Sequence, residues 1–337
     1  MASTRIHSCN TSKYNGVWVF GEQKNGIAIS VVMELLGKGR ILADQLQVPL
    51  SVVLLSENGK EEASKLIAYG ADIVYMVNSP ALKHFNDEIY TDVIAQLVSQ
   101  YKPEIVLLGA TTYGRSLAPR ISSRLNTGLT ADCTDLKIDK ENGVLIQIRP
   151  AFSGNIMASI ICPNHRPQMA TVRPKVMSAL MHDPSRTGLV IEPNVIIPQH
   201  IKTHVIDVVS DINGTANLLD ADIVVSAGRG IGEAKNLEMI KELADVLGGA
   251  VGASRAIVDS GWISYRHQIG QSGRTVSPKI YFACGISGAS QHLAGISSSD
   301  IIIAINKNPD APIFKVATYG IVGDVLEVVP ALIKEFH

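Results

Sequence analysis

The feature that most constrains the fold is an alternation of apolar β-rich runs with amphipathic helical segments, which starts at Gly16. The β-rich runs include GVWVFGE, LSVVLLSE and EIVLLGATT, and helical patterns such as TDVIAQLVSQYK separate them. Continuous apolar strands are buried on both faces, and the helices between them are typical crossovers. The pattern therefore predicts an α/β fold built on a parallel sheet with helices on both sides.

The pattern changes after Thr127, where the β-rich stretches become short and closely spaced. They read CTDLKID, VLIQIRPA, IMASIICP and PQMATVRP, and KENG between the first two has the composition of a turn. Short strands joined in this way are typical of antiparallel hairpins. We expect these strands to extend the first sheet rather than to form a domain of their own.

A linker is predicted between Ser178 and Asp211, a stretch with three prolines and little helical period. Strand-like and helical segments then alternate again, in the order ADIVVSAG, AKNLEMIKELADVLGG, AVGASR, KIYFA, DIIIAIN, IFKVA and VGDVLEVVPALIKEF. A chain of 337 residues can form two domains that each bury a core. We predict two parallel-sheet α/β domains: residues 1–205, extended by antiparallel strands, and a Rossmann-like domain over residues 206–337.

Charge and aromatic content exclude two classes of partner. The formal net charge is −1, which gives no bulk attraction to nucleic acid or to an anionic membrane. Aromatic residues make up only 5% of the chain, too few to suggest stacking platforms for single strands. No apolar run has the length of a membrane span, and the polar N-terminal stretch lacks the apolar core of a signal peptide.

The cysteines indicate a reducing compartment. Cys9, Cys133, Cys162 and Cys284 are scattered, and no C-x-x-C pair occurs. This spacing favours neither a zinc site nor a disulfide framework. We therefore expect free thiols and a cytoplasmic protein.

A glycine-rich turn, SAGRGIGE, follows a predicted strand and precedes a predicted helix. Gly228, Gly230 and Gly232 have the spacing G-x-G-x-G, which does not match the G-x-G-x-x-G dinucleotide motif. The turn could cradle a phosphate, or it could be a plain tight turn. Arg229 within it favours the phosphate, because a guanidinium pairs well with phosphate oxygens.

Polar residues follow other predicted strands. Ser254 and Arg255 end the run AVGASR, and residues at the carboxyl ends of parallel strands face the ligand crevice. A surface arginine at a loop is the alternative interpretation. The loop HQIGQSGRTVSP carries Gln268, Gln271 and Ser272, whose neutral hydrogen-bonding groups suit a heteroaromatic ring, although an ordinary polar loop would read the same way.

The stretch CGISGASQHLAG, from Cys284 to Gly295, lies between two strand-like segments. It offers backbone N–H groups, hydroxyls, an amide and an imidazole but no carboxylate, and a helix N-terminus there would attract an anion. A serine nucleophile is excluded, because Ala289 replaces the second glycine of G-x-S-x-G. A single helical histidine such as His292 is more often structural than catalytic. Asp324 has the position of a helix N-cap.

Longer motifs resemble one family. ASRAIVDSGW, GQSGRTVSPKIYFACGISGASQHLAG and IIIAINKNPDAPIFKVATYGIVGDVLEVVPAL resemble the FAD domain of the electron-transfer flavoprotein alpha subunit family. LLGATTYGRSLAPRISSRLNTGLTADCT and ATVRP resemble the N-terminal domain of that family. The resemblance covers Gly16 to Phe336, nearly the whole chain.

The resemblance implies one FAD, held mainly by the second domain, and a beta subunit that completes the complex. It implies that Arg229 contacts the nucleotide half, that Arg255 lies against the isoalloxazine, that the Gln271–Ser272 pair lies near the flavin edge and that His292 meets the flavin pyrimidine. The residues expected to bind the cofactor are Arg229, Ser254, Arg255, Gln268, Gln271, Ser272, Gly285, Ser287, Gly288, Gln291, His292, Asn306, Lys307 and Asp324.

The expected function is electron carriage rather than self-sufficient catalysis. With its beta subunit, the chain would carry electrons between NADH or a dehydrogenase and an acyl-CoA dehydrogenase or reductase, as in the NADH-using anaerobic branch of the family. The alternative is an NAD-dependent enzyme of deoxyhypusine-synthase-like fold. That class needs a nucleophilic lysine, for which Lys307 is the candidate beside the ligand loops. A nucleotide-binding regulatory module is a third possibility.

Overall fold

The structure is a computed structural model that describes residues 11–151, 156–208, 218–219 and 221–336. The described residues form two compact units, one over 11–151 and 157–208 and the other over residue 156, 218–219 and 221–336. The domain boundary predicted between residues 205 and 206 stays a prediction. Cys9 and residues 209–211 of the predicted linker lie outside the described residues.

The first unit contains twelve strands and four α-helices among the described residues. Their bounds are β1 Val17–Phe20, β2 Gln23–Lys24, β3 Ile27–Ala28, α1 Ser30–Leu46, β4 Leu50–Ser56, α2 Lys60–Ala68, β5 Ile73–Asn78, α3 Asp87–Tyr101, β6 Ile105–Gly109, α4 Thr112–Leu125, β7 Leu129–Cys133, β8 Asp135–Ile138, β9 Leu145–Ala151, β10 Ile156–Ile160, β11 Gln168–Val172 and β12 Leu189–Ile191.

A seven-stranded sheet in the order β12-β5-β4-β1-β6-β11-β7 is the centre of this unit, and all its strand pairs are parallel. Alternate residues of β1 point to opposite faces, as the two-residue period of a strand requires. Val17 and Val19 pack with residues of α1 and α2, whereas Trp18 and Phe20 pack with residues of α3 and α4. The predicted α/β sheet with helices on both faces is therefore confirmed.

The antiparallel addition to the first unit differs in detail from the prediction. β8 and β9 pair antiparallel and form a separate three-stranded sheet with β10, in the order β10-β9-β8, instead of extending the main sheet. The stretch PQMATVRP instead supplies β11, which inserts between β6 and β7 with parallel pairing. All five residues of β11 are buried. Burial on both faces explains this position, because an interior parallel strand buries more apolar surface than a hairpin edge.

The predicted linker also contains structure. β12 pairs with β5 as the edge strand of the main sheet. Further along, the Gln96 side chain of α3 hydrogen-bonds both the N–H and the carbonyl of Ile196. The Glu88 carboxylate accepts from the N–H groups of Lys202 and Thr203. The chain from Leu189 to Thr203 thus belongs to the first unit.

The second unit is a smaller α/β unit. Its elements are β13 Ile223–Ala227, α5 Leu237–Val246, β14 Ala250–Ala253, α6 Arg255–Asp259, β15 Ile280–Cys284, α7 Ser290–Leu293, β16 Ile301–Asn306, β17 Tyr319–Val322 and α8 Val325–Phe336. The run IFKVA, grouped with the strands in the sequence, is mostly a 3₁₀ turn over Pro312–Lys315. The fifth strand is β17 instead.

All neighbours in the second sheet are parallel, in the order β14-β13-β15-β16-β17. The chain runs outward from β13 to β14 and then returns to the other side of β13 at β15. The strand order therefore reverses between β13 and β15. Ligands of open α/β sheets bind beyond the carboxyl ends of the strands at such a switch point. No helix in the described part of the chain is long and apolar enough to cross a membrane.

Candidate functional site

A cavity of about 1050 Å³ opens beyond the carboxyl ends of β13, β14, β15 and β16. It lies within the second unit and at the switch point. Eleven of the fourteen residues predicted for the site line it: Arg229, Ser254, Arg255, Gln268, Gln271, Ser272, Gly285, Ser287, Gln291, His292 and Asn306. Its volume is at the upper end of the range typical of small-molecule sites, which suits a large ligand.

Two glycine turns meet backbone to backbone at the base of this cavity. The N–H of Gly228 donates to the carbonyl of Cys284 at 2.8 Å, and the N–H of Gly230 donates to the carbonyl of Gly285 at 3.0 Å. A Cβ on Gly228 would lie 2.3 Å from the Gly285 oxygen. In the first glycine turn these two N–H groups are therefore hydrogen-bonded within the fold and are not available to a ligand. Gly228 and Gly230 are glycines because the two backbones approach so closely.

The second turn presents unused donors. Gly285 and Gly288 have positive φ angles of 66° and 86°, a conformation that suits glycine. The N–H groups from Ile286 through Ala289 donate no hydrogen bond to any described residue. Successive N–H groups of this kind form an anion-binding concavity. The one-turn helix α7 follows directly, so the predicted strand, turn and helix order is present, with a shorter helix than expected.

Two arginines supply the positive charge on the wall. Arg229 is exposed and forms no ion pair within the described part of the chain. Arg255 begins α6, and its Nε lies 3.1 Å from Oδ2 of Asp259, one helical turn later. With one carboxylate against two guanidinium groups, the lining favours an anionic ligand.

The loop before β15 holds Ser272 from two sides. The Gln268 side chain is buried and donates from Nε2 to the Ser272 hydroxyl at 3.1 Å. The Tyr265 hydroxyl donates to the Ser272 carbonyl. Because the Ser272 oxygen accepts from Gln268, its own hydrogen is available for a ligand. The N–H of Gln271 donates to the Gln291 carbonyl at 2.7 Å and ties this loop to α7.

His292 lines the cavity with a side chain that is already hydrogen-bonded at both nitrogens. Nδ1 lies 3.1 Å from the carbonyl oxygen of Ile269, and Nε2 lies 2.9 Å from the hydroxyl of Tyr281. Burial lowers the pKa of His292 to about 4. The ring is therefore neutral near pH 7, and a hydrogen bond from it to a ligand would require one of these two contacts to be exchanged.

The remaining predicted residues support the site or lie beside it. Asn306 donates from Nδ2 to the carbonyl of Ile286 at 2.9 Å and so braces the second glycine turn. Gly288 does not line the cavity, but a Cβ there would lie 2.3 Å from the Ile313 nitrogen.

Lys307 and Asp324 are not part of the cavity wall. They form an ion pair of 2.8 Å. Asp324 also accepts from the Leu326 N–H, as expected of the predicted helix N-cap. The contact with Lys307 lowers the pKa of Asp324.

Sequence reasoning missed four polar residues. Asp259, Ser260 and Asn308 line the cavity, and Tyr281 lies behind it. The four-residue spacing from Arg255 could have indicated Asp259, since residues at that spacing meet on a helix. Tyr281 had no such signal, because it lies inside an apolar strand. In the described part of the chain, no group of three His, Cys, Asp or Glu side chains could hold a metal ion.

Comparison with known families gives two matches along the chain. Residues 17–197 match the electron transfer flavoprotein domain. Residues 217–297 match the electron transfer flavoprotein FAD-binding domain. The second match includes the switch-point cavity from Arg229 to His292.

Curated relatives are similar over almost the whole chain. An electron transfer flavoprotein subunit alpha of Thermoanaerobacterium thermosaccharolyticum is 55% identical over 96% of this chain and 98% of its own length. One from Megasphaera elsdenii is 49% identical over 95% of this chain and 96% of its own length. An acryloyl-CoA reductase electron transfer subunit beta of Anaerotignum propionicum is 42% identical, with 97% of each chain covered.

Proposed function

Because this chain belongs to the electron transfer flavoprotein alpha subunit family and binds FAD, we propose that the cavity at the switch point of its second unit is where FAD is held. The observation that carries this proposal is the meeting of unused backbone N–H groups and two arginines at one sheet edge. FAD has a pyrophosphate and a large planar ring, so it needs both an anion site and a wide cleft.

The lining residues fit the parts of FAD in a definite order. The N–H groups of residues 286–289, with Arg229, suit the pyrophosphate. Arg255, Ser254 and the Gln271–Ser272 pair suit the isoalloxazine, where Ser272 has a hydroxyl hydrogen to donate. Asn306 in the cavity wall and the Lys307–Asp324 pair outside it suit the adenosine.

The bound flavin would supply one- and two-electron chemistry, and the protein would set its potential. The Arg255 guanidinium would stabilise negative charge on the bound ring and raise its potential, while Asp259 holds the guanidinium from its Nε side. The buried neutral groups around His292 would exclude water from the ring edge.

We further propose the partners. A beta subunit would complete the complex, and electrons would pass between NADH or a dehydrogenase and an acyl-CoA dehydrogenase or reductase. The relative named as an acryloyl-CoA reductase subunit supports the acyl-CoA partner. Free cysteines at Cys133, Cys162 and Cys284 support a cytoplasmic location.

The NAD-dependent alternative loses its main support. Its candidate nucleophile, Lys307, is exposed, paired with Asp324 and absent from the cavity wall. A charged lysine with an ion-pair partner is a poor nucleophile, since a neutral amine is required. The family matches also favour the electron carrier.

The test introduces a large side chain into the cavity of this chain, and FAD is measured in its complex with the beta subunit. Ser287→Trp should lose most of its FAD, counted by absorbance after acid precipitation, and all released FAD should be in the supernatant. The control is Ser64→Trp, at an exposed serine on α2 of the first unit. Full FAD content in the Ser287→Trp complex would contradict the assigned position. A yellow pellet would show a covalent link instead.

A further inference from the structure

Tyr281 is a polar side chain in the interior of the second unit. It lies within β15, has 0% exposure and is the largest of the fully buried side chains among the described residues. A buried phenol requires a hydrogen-bond partner. Its hydroxyl lies 2.9 Å from Nε2 of His292, which lines the cavity.

The partners of the ring determine where its protons lie. The Ile269 carbonyl can only accept, so Nδ1 of His292 must carry the hydrogen of that 3.1 Å contact. In a neutral ring Nε2 then has only a lone pair. The Tyr281 hydroxyl must therefore donate to Nε2.

Protonation of His292 would force a rearrangement. Nε2 would become a donor, and the Tyr281 hydrogen would have to turn away from it. The buried Ser226 hydroxyl interacts with Tyr281 and is the group that can accept this hydrogen. Tyr281 on β15 and the Ile269 carbonyl on the preceding loop are the groups that hydrogen-bond the ring, and no charged side chain in the described part of the chain hydrogen-bonds it.

We propose that Tyr281 is a positioning residue of the redox site, which together with the Ile269 carbonyl keeps His292 as the uncharged Nδ1–H tautomer and fixes its ring against the cavity. Two consequences follow for the site. Arg229 and Arg255 are then the cations that line the cavity, and His292 contributes dipole rather than charge. The ring also ties β15 and α7 to the loop that carries Gln268 and Ser272.

The first measurement needs no variant. In the full complex, made with ¹⁵N-labelled histidine, the His292 ring should show a protonated Nδ1 and an unprotonated Nε2 at pH 7. Its signal is identified by its loss in His292→Gln. A protonated Nε2, or a charged ring, would overturn the proposal even if every Tyr281 variant failed to fold.

The second measurement uses Tyr281→Phe, which retains the ring and removes the hydroxyl. The Nε2 signal should shift, because its lone pair loses the donor, while Nδ1 stays protonated against the Ile269 carbonyl. The equilibrium constant for one-electron reduction of the bound flavin should change by at least about threefold, roughly 30 mV. Tyr319→Phe is the matched control, because Tyr319 is exposed on β17 of the same sheet.

Unchanged ring signals and potential in a folded, FAD-loaded Tyr281→Phe complex would show that Tyr281 only fills the core. The change in flavin potential is expected only if FAD lies in this cavity, as proposed above. The tautomer of the His292 ring does not depend on FAD, because it can be measured in protein stripped of the cofactor. An Nδ1–H ring, a potential unchanged in Tyr281→Phe and full FAD content in Ser287→Trp would together show that the flavin is bound elsewhere.

Discussion

Arg255 is the residue through which a single charge should tune electron transfer. Loss of a charge-assisted contact is worth about 1.5–3 kcal/mol, and about 1.4 kcal/mol corresponds to 59 mV for one electron. We expect Arg255→Ala to lower the flavin potential by roughly 60 mV or more and Arg255→Lys to lower it less. Spectroelectrochemistry of the complex measures both. Lys279→Ala, which removes a cation paired with Asp222 before β15, is the control and should leave the potential unchanged.

Glu22 should make the first unit sensitive to pH. Its side chain is 5% exposed and accepts from the Thr111 hydroxyl at 2.6 Å, and burial raises its pKa from 4.5 to about 7. Since the folded state holds the proton more tightly, stability is retained below pH 4.5 and lost as pH rises to about 7, by on the order of 3 kcal/mol at most. Glu22→Gln should remove this loss.

The measurement for Glu22 is chemical denaturation at pH 5 and pH 8. Trp18 in β1 reports on the first unit once Trp262 is replaced by Phe. Glu61→Gln, at an exposed position of α2, is the control and should retain the pH dependence of the parent. Equal pH dependence in Glu22→Gln and its parent would refute the assignment.

At the scale of elements, the meeting of the two glycine turns decides whether the site forms. A Cβ on Gly228 would lie 2.3 Å and 2.7 Å from backbone atoms of Gly285, and backbone cannot turn aside as a side chain can. We expect Gly228→Ala to destabilise the second unit by about 2–4 kcal/mol and to reduce FAD content. Gly248→Ala, with a φ of 64° and no atom within 4 Å, should cost only about 1 kcal/mol and retain FAD. Trp262 fluorescence measures the stability of the second unit, and flavin absorbance measures the FAD content. Equal losses of stability and of FAD in the two variants would contradict the steric argument.

At the scale of the whole molecule, we expect the connection between the units to govern how electrons leave. The first part of the linker predicted between Ser178 and Asp211 belongs to the first unit, because β12 and the contacts of Ile196 and Thr203 hold it there. We therefore place the pivot after Thr203. A disulfide between cysteines introduced in each unit should leave FAD bound and slow transfer to the acyl-CoA enzyme by at least about tenfold, or ~1.4 kcal/mol of barrier. The same protein after reduction is the control. Equal transfer rates in the two forms would show that the connection is only a tether.

The sequence by itself determined the α/β class, the second parallel sheet and half of the residues that line the cavity. Apolar runs buried on both faces and helical periods are local properties, so they can be read along the chain. The same holds for residues that directly follow strands, such as Arg229, Arg255 and Asn306, because parallel strands deliver their carboxyl ends to one edge.

Only the tertiary structure decided which strands pair and which polar groups are already engaged. β11 lies between β6 and β7, and β12 joins β5, because strand partners are chosen by burial across long sequence separations. Lys307 pairs with Asp324 rather than lining the cavity. His292 is neutral because burial disfavours its charged form, and its two nitrogens meet Tyr281, eleven residues earlier, and Ile269, on another loop. Spacing cannot reveal such a contact, since it depends on which side chains the folded sheet brings together.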